Sequence, residues 1–169
     1  MLKREIRILG LSAAEKKFGF LAVGVVYRGS LWLDGVVSGI TKDREERVSL
    51  VSRIIKDCKQ YSQLHAVILA TEEIIPNNAL SELFSEVKIP LIMILRHQAS
   101  RPKPSPHTSY THVRVNKNLV PVFTVGVTGE DAEKLFAICC NPSSKIPEAV
   151  RVAELIVGRA TSLARKRQK

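Results

Sequence analysis

Apolar residues alternate with polar ones, or run together, in five segments whose patterns are typical of β-strands. The predicted strands comprise residues 6–11, 18–28, 31–40, 66–69 and 89–95. The chain is predicted to turn at Ser12-Ala13-Ala14 after the first strand, and a tight turn at Gly29-Ser30 joins the second strand to the third. The fourth segment is almost wholly apolar, as in a parallel strand that is covered on both faces.

Helical spacing follows the third strand and returns near the end of the chain. Val48, Val51 and Ile55 recur on one face of a predicted helix, and a second, short helix is predicted over residues 78–87. Two short strands about the turn at 116–118 precede a helix through Cys140, and a last helix begins near Pro147. This order predicts an α/β fold with an antiparallel hairpin first and parallel strands behind it.

Composition indicates a globular protein, since 45% of the 169 residues are hydrophobic and 25% are charged. The length predicts a single domain over residues 1–169. The longest apolar run, residues 18–27, is shorter than the roughly 20 residues of a membrane span, so we expect a cytoplasmic protein with no membrane contact. The three cysteines lack the spacing of a metal site or a disulfide framework and are expected to be buried thiols.

The net charge of +10 favours a polyanionic partner, DNA or RNA. Part of it lies in an exposed, proline-rich loop predicted near residues 96–110, and part lies in the last helix and the basic tail, residues 165–169. The candidate contacts in these two segments are Arg96, Arg101, Lys103, Arg159, Arg165, Lys166 and Arg167. A basic surface that serves only solubility remains the alternative.

Familiar catalytic motifs are absent or lack their context. The stretch GLSAA matches a G-x-S-x-A nucleophile elbow, but that motif needs a following helix, and residues 15–17 leave no room for one. No phosphate-binding glycine loop occurs, and the four histidines have no metal-ligand spacing. The sequence therefore disfavours a serine hydrolase and a nucleotide-binding enzyme of these types.

Phosphodiester cleavage usually requires carboxylates that converge on Mg²⁺ or Mn²⁺. The acids near predicted strand ends are Glu15, Asp34, Asp43, Glu72 and Glu73. Asp34 lies within a strand, and Asp43 is explained as a helix cap, so nothing in the spacing fixes a convergent set. Glu15, Asp43 and Glu72 remain weak catalytic candidates.

Two stretches resemble a known family. They are IRILGLSAAEKKFGFLAVGVVYRGSLWLDGVV and, later, KIPLIMIL with VFTVGVTGEDAEKLF and SSKIPEAVRVAELIVGRA. Both are similar to the archaeal, uncharacterised family called domain of unknown function 99, and the P-E-x-x-R-x-A pattern from Pro147 to Ala153 also resembles endonuclease V. The resemblance implies a ribonuclease H-like fold: a five-stranded mixed sheet, with the first three strands antiparallel, and flanking helices.

The chain departs from that family where the family pattern has acids. Ser12 and Ala13 stand where the resemblance implies a pair of aspartates, and Thr41 stands near the place of another. Serine, alanine and threonine cannot supply several anionic oxygens to Mg²⁺. We therefore expect no metal and no cofactor, with Mg²⁺ or Mn²⁺ relevant only if Glu15, Asp43 and Glu72 rebuild a site.

Three functional hypotheses stay open. The first is a non-catalytic nucleic-acid-binding or interaction protein on an endonuclease V-like scaffold. The second is an active Mg²⁺- or Mn²⁺-dependent nuclease with rearranged carboxylates, and the third is a subunit that docks on a protein partner and whose charge is incidental. Arg151, from the P-E-x-x-R-x-A pattern, either joins the nucleic-acid-binding residues or holds Glu148 or a loop in place.

Overall fold

A computed structural model describes residues 5–96 and 107–166 of the chain. The strands are β1 (Arg7–Lys16), β2 (Gly19–Arg28), β3 (Trp32–Thr41), β4 (Leu64–Leu69), β5 (Leu91–Ile94), β6 (Thr108–Val115) and β7 (Asn118–Val125). The helices are α1 (Arg47–Lys56), α2 (Leu80–Val87), α3 (Gly129–Cys139) and α4 (Glu148–Lys166), with short 3₁₀ turns at Tyr61–Gln63 and Asn77–Ala79. None of the helices described here has the length and apolarity that a membrane span needs.

The described strands form one mixed sheet in the order β3-β2-β1-β4-β5-β7-β6. β1, β2 and β3 pair antiparallel, while β4 and β5 run parallel to β1. β1 therefore lies between β2 and β4, and the expected antiparallel pairing of the first three strands is confirmed. β1, β3, β4 and β5 all end at the same side of the sheet, which we call the carboxyl edge.

Within residues 5–96 and 107–166 the sheet has seven strands, so the expectation of five is wrong. The sequence predicts β6 and β7 as strands, but the family resemblance implies a sheet without them. β7 pairs antiparallel with β5 through Leu91↔Val125 to Ile94↔Val122, and β6 pairs with β7. The predicted loop over 96–110 also ends early, because β6 begins at Thr108; residues 97–106 lie outside the described residues.

The predicted turn at Ser12-Ala13-Ala14 is also wrong, because β1 continues through these residues to Lys16. Ser12 pairs with Val23, and Ala14 pairs with Leu21. Ala14 packs beside the apolar cluster that β2 and α4 form, and its small side chain fits under the helix. Antiparallel pairing with β2 therefore extends β1 past the end of β4, whose Leu69 pairs with Leu11.

Helices cover both faces of the central strands. α1 packs on β2 and β3 on one face, where Leu50 and Ile54 lie against Gly39. α4 packs on β1 and β2 on the other face and begins directly over Gly10. A Cβ atom at Gly10 would lie 2.4 Å from the backbone of Ala149 and Val150, so glycine permits this close approach of helix and strand.

A cluster of charges fixes the start of β3. Asp34 accepts hydrogen bonds from Arg7 Nε at 2.7 Å and Arg28 Nη2 at 2.8 Å. Gln60 Nε2 donates to the backbone oxygen of Asp34 at 2.9 Å. The hydrogen bond from Arg28 lowers the pKa of Asp34 against the opposing effect of burial, and Arg7 lowers it further.

We expect Asp34→Asn to lower the melting temperature by a few degrees at neutral pH. The folded-state pKa of Asp34 is depressed, so its stabilising effect is present above the ordinary value of 3.8 and is lost as the pH falls through the folded value. The difference between variant and wild type should therefore narrow below pH 3.8 in calorimetric scans over a range of pH. A difference that stays constant across that range would contradict a role for the ionised carboxylate.

Candidate nucleic-acid interface at the carboxyl edge

The centre of the carboxyl edge is formed by β1 and β4. The amide of Ala70 donates to the carbonyl oxygen of Leu11 at 2.8 Å, which sets Ser12 beside the end of β4. Ser12 is buried, at 6% exposure, and Thr41 at the end of β3 is buried too. Thr41 Oγ1 donates to Glu46 Oε2 at 2.8 Å and accepts from the amide of Asp43 at 3.1 Å.

Arg96, which follows β5, links the end of β4 to α4. Its Nε donates to the carbonyl oxygen of Ala70 at 3.0 Å, and its Nη2 donates to Glu154 Oε1 at 2.5 Å. Its backbone amide donates to Glu72 Oε2 at 2.8 Å. Burial raises the pKa of Glu154, and the positive charge of Arg96 opposes that rise. The guanidinium group of Arg96 therefore bridges the backbone at the end of β4 and the Glu154 carboxylate of α4.

The acids that could hold a divalent metal are engaged elsewhere or lie apart. Glu72 Oε2 accepts from the amide of Arg96 and from Thr71 Oγ1 at 3.2 Å. Glu15 pairs with Arg47, and it lies four residues beyond Leu11 in β1, about 13 Å along the strand. Asp43 accepts from the amide of Glu45 at 2.8 Å, but α1 begins at Arg47 with Glu46 at its N-cap position, so the prediction that Asp43 caps the helix is wrong.

The donor set does not fit Mg²⁺ or Mn²⁺, which prefer several convergent carboxylate oxygens. Ser12 and Ala13 offer at most one neutral oxygen, and a guanidinium lies where β4 and α4 meet. No three histidine, cysteine or acidic side chains come together in metal-binding geometry among residues 5–96 and 107–166. That this edge binds no metal stays a prediction, and its test closes the Discussion.

The P-E-x-x-R pattern at the start of α4 forms a local ion pair. Glu148, 7% exposed in its side chain, accepts from Arg151 Nη2 and from Arg151 Nε at 3.0 Å. Asn141 Nδ2 donates to the same carboxylate at 2.8 Å and thereby ties the preceding loop to the helix.

Burial, and secondarily the charge of Glu148, raise the pKa of the Cys140 thiol to about 12, so this thiol is not a thiolate at neutral pH.

Replacing Arg151 by alanine should destabilise the fold by about 1–3 kcal/mol, the range for a hydrogen-bonded partner of a buried charge. The physical reason is that Glu148 would keep only Asn141 as a donor in a buried position. Chemical denaturation of Arg151→Ala beside Arg53→Ala, an exposed residue of α1, provides the measurement. An equal, near-zero effect of both changes would contradict the structural role of Arg151.

The structure places two of the predicted basic residues against carboxylates of one helix. Arg96 and Arg151 are both held in ion pairs with α4 carboxylates. Arg159 lies further along α4, which runs from Gly10 toward the carboxyl edge, as the contact of Glu154 with Arg96 shows. Arg165 and Lys166 end α4, but their side chains are not described, and Arg101, Lys103 and Arg167 lie outside the described residues.

Four further cations at the carboxyl edge were not singled out from the sequence. Lys16 and Lys17 lie at the turn between β1 and β2, and Lys42 and Arg44 follow β3. None of the four makes an ion pair or side-chain hydrogen bond with another residue of the described part. No local sequence signal places them there, because the length of the β1-β2 hairpin, which carries its turn beyond the end of β4, depends on tertiary packing.

The order and direction of the strands, with α4 across the first two, define the class of fold. A protein of unknown function from Archaeoglobus fulgidus superposes with a TM-score of 0.72, at 17% identity, over 92% of this chain and 98% of that one. Endonuclease V from Bacillus subtilis superposes with a TM-score of 0.62, at 13% identity, over 96% of this chain and 82% of that one. The class is therefore an α/β fold of the endonuclease V type.

Sequence comparison narrows this class to a family. No family model matches the chain. A UPF0215 protein from Methanosarcina acetivorans is 31% identical over 92% of this chain and 90% of its own length, so the chain belongs to the UPF0215 family. The resemblance to an uncharacterised archaeal family related to endonuclease V is confirmed.

Proposed function

We propose that this protein binds nucleic acid at its carboxyl edge by electrostatic contact and does not cleave it. The observation that carries the proposal is that the acids nearest the ends of β1 and β4 are engaged, whereas Lys16 and Lys17 at the β1-β2 turn are in no ion pair among the described residues. Glu15, Glu72 and Glu154 are engaged by Arg47, by the backbone of Arg96 and by the guanidinium of Arg96, respectively. Lys16 and Lys17 have no acidic neighbour engaged with them, whereas Lys42 and Arg44 alternate with Asp43 and Glu45, so the β1-β2 turn contributes most to the attraction of polyanions such as DNA and RNA.

The fold supports nucleic acid as the polyanion. Endonuclease V, whose fold this chain shares, is a nuclease by name. The basic end of α4, with Arg165 and Lys166, is directed to the same edge as the β1-β2 turn and adds to the same field. Phosphate contacts from lysine and arginine position a duplex without reading its bases, so we propose binding that depends little on sequence.

Metal-dependent cleavage is the second candidate, and likeness to the endonuclease V fold favours it. Glu72 and Glu154 lie on either side of Arg96, so they are the carboxylates such a site would need. The proposal sets this candidate second because the guanidinium of Arg96 neutralises Glu154, and Ser12 and Ala13 contribute no carboxylate from β1.

The proposal is tested by fluorescence anisotropy with duplex DNA and single-stranded RNA over a range of salt concentrations. Binding should weaken steeply with salt, and Lys16→Ala/Lys17→Ala should flatten the log–log slope by up to about two units, because each lost contact on duplex DNA removes about 0.9. The matched control is Lys59→Ala/Lys88→Asn, which removes two exposed charges from the opposite edge. Asparagine is chosen because Lys88 has a positive φ of 54°.

The control should leave the slope unchanged. The absence of binding to either nucleic acid at low salt would contradict the proposal. Equal effects of the two double variants would contradict the placement of the interface at the carboxyl edge, because net charge alone would then explain the binding.

A further inference from the structure

β3 is an edge strand of the sheet. Its outer side, which is distinct from the carboxyl edge, is unprotected. In the described part of the chain it pairs on one side only, with β2. Edge strands usually carry charges or prolines that prevent pairing with another chain. Residues 35–41, GVVSGIT, contain neither, and their pairing with β2 is regular up to the irregularity beside Asp34. This stretch can accept a further strand.

An apolar strip accompanies this free edge. Leu33, Val36 and Ile40 are about half exposed, at 53%, 49% and 50%. Their partners on β2 are Tyr27, Val25 and Leu21, which belong to the cluster packed with α4. Cross-strand partners share one face of a sheet, so the strip continues the apolar surface beneath α4 out to the edge.

Charge indicates which partner can approach. Two copies of a chain with net charge +10 repel each other over most orientations. Residues 35–41 carry no charge, and the neighbouring Asp34 is already neutralised by Arg7 and Arg28. The β3 edge is thus a place where a second copy can approach without opposing like charges across the contact.

We infer that β3 pairs antiparallel with β3 of a second copy, with the two-fold axis at Ser38. This register sets Val36 opposite Ile40 on the face that carries the apolar strip. It sets Val37 opposite Gly39 on the other face, so a large residue faces a small one. An axis at Val37 would instead place Ile40 opposite Asp34, an apolar residue against a carboxylate. The inference stands independently of the proposed nucleic-acid binding.

The size of the contact sets its strength. Seven paired residues extend about 24 Å, and with their side chains they cover on the order of 400 Å² per copy. Specific interfaces usually bury about 800 Å² per partner, so this one lies at the weak end. The dimer should form at micromolar and higher protein concentrations rather than at nanomolar ones.

Sedimentation velocity over a wide range of protein concentration tests the inference. The wild type should shift from monomer to dimer, and Val36→Lys should stay monomeric because two lysines would lie opposite the two Ile40 side chains. Leu119→Lys, at a residue 62% exposed on the far side of the sheet, is the control and should dimerise normally. Melting curves of each variant verify that the fold is intact.

A cysteine at the axis tests the register. Ser38→Cys should form a disulfide-linked dimer under mild oxidation, because only the residue on the two-fold axis faces its own copy. Ser49→Cys, exposed on α1, is the control; the native Cys58 and Cys139 are buried, and the partly exposed Cys140 is replaced by alanine in both proteins. Any of three results would overturn the inference: a wild type monomeric at every concentration, a Val36→Lys dimer as tight as the wild type, or a Ser38→Cys protein that links no faster than Ser49→Cys.

Discussion

Gly10→Ala should destabilise the protein by about 3 kcal/mol, at the upper end of the usual cost of overpacking. The added methyl group would lie 2.4 Å from the backbone carbon of Ala149 and 2.7 Å from its carbonyl oxygen. Backbone atoms cannot move aside as a flexible side chain can, so α4 would have to shift away from β1. Urea unfolding of the variant beside wild type measures the loss.

Gly158→Ala is the matched control, since a Cβ atom at Gly158 meets nothing within 4 Å. Within α4 the change should stabilise the protein by about 0.5–1 kcal/mol, because alanine favours the helix over glycine. Similar stability of both variants and the wild type would contradict the close packing of α4 on β1, and with it the position of Glu154 beside Arg96.

Arg165→Ala/Lys166→Ala/Arg167→Ala should flatten the salt dependence of duplex DNA binding by about two to three units. The wild type, if it makes about four to six phosphate contacts, should show a log–log slope near −4 to −5. The triple variant therefore removes about half of the contacts, because α4 directs this basic end to the carboxyl edge. Anisotropy titrations at several salt concentrations give both slopes.

Unchanged salt dependence in the basic variants would contradict electrostatic binding. An unchanged slope in this triple variant, together with an unchanged slope after substitution of Arg96, Arg101 and Lys103, would make the net charge incidental. The hypothesis of a protein-partner subunit would then take precedence over nucleic-acid binding.

The central strands could be predicted from local patterns because they are apolar and their turns are short, while their arrangement in the sheet was implied by the family resemblance. Residues 66–69 read as a buried parallel strand, and β4 lies between β1 and β5. The hairpin of β6 and β7 was also predicted, but its place beside β5 depends on pairings such as Leu91↔Val125, over more than 30 residues of sequence. Local periodicity contains no information on such a pairing.

The length of β1 was missed for a different reason. Ser12, Ala13 and Ala14 lack the apolar alternation that marks a strand, yet antiparallel pairing with β2 holds them extended. A small side chain at this position fits against the apolar cluster beneath α4, and Ala14 makes this contact. A tertiary contact therefore determined residues that local propensity assigned to a turn.

The candidate site shows what charge counts can and cannot predict. Arg96 and Arg151 were taken as surface cations, but their partners are Glu154, 58 residues away, and Glu148, one helical turn away. The local Glu148–Arg151 pair was foreseen as an alternative from the P-E-x-x-R-x-A pattern, and its three-residue spacing places both side chains on one helix face. The Arg96–Glu154 pair requires β5 and α4 to meet, which only the fold determines.

Calorimetric titration of Mn²⁺ into the protein tests the central claim, a nucleic-acid-binding edge without a catalytic metal, most directly. The account predicts no site tighter than about 1 mM, since the edge offers no convergent set of carboxylates that could replace the hydration of the ion. A micromolar site that Glu72→Gln or Glu15→Gln abolishes would contradict the account and favour a metal-dependent nuclease.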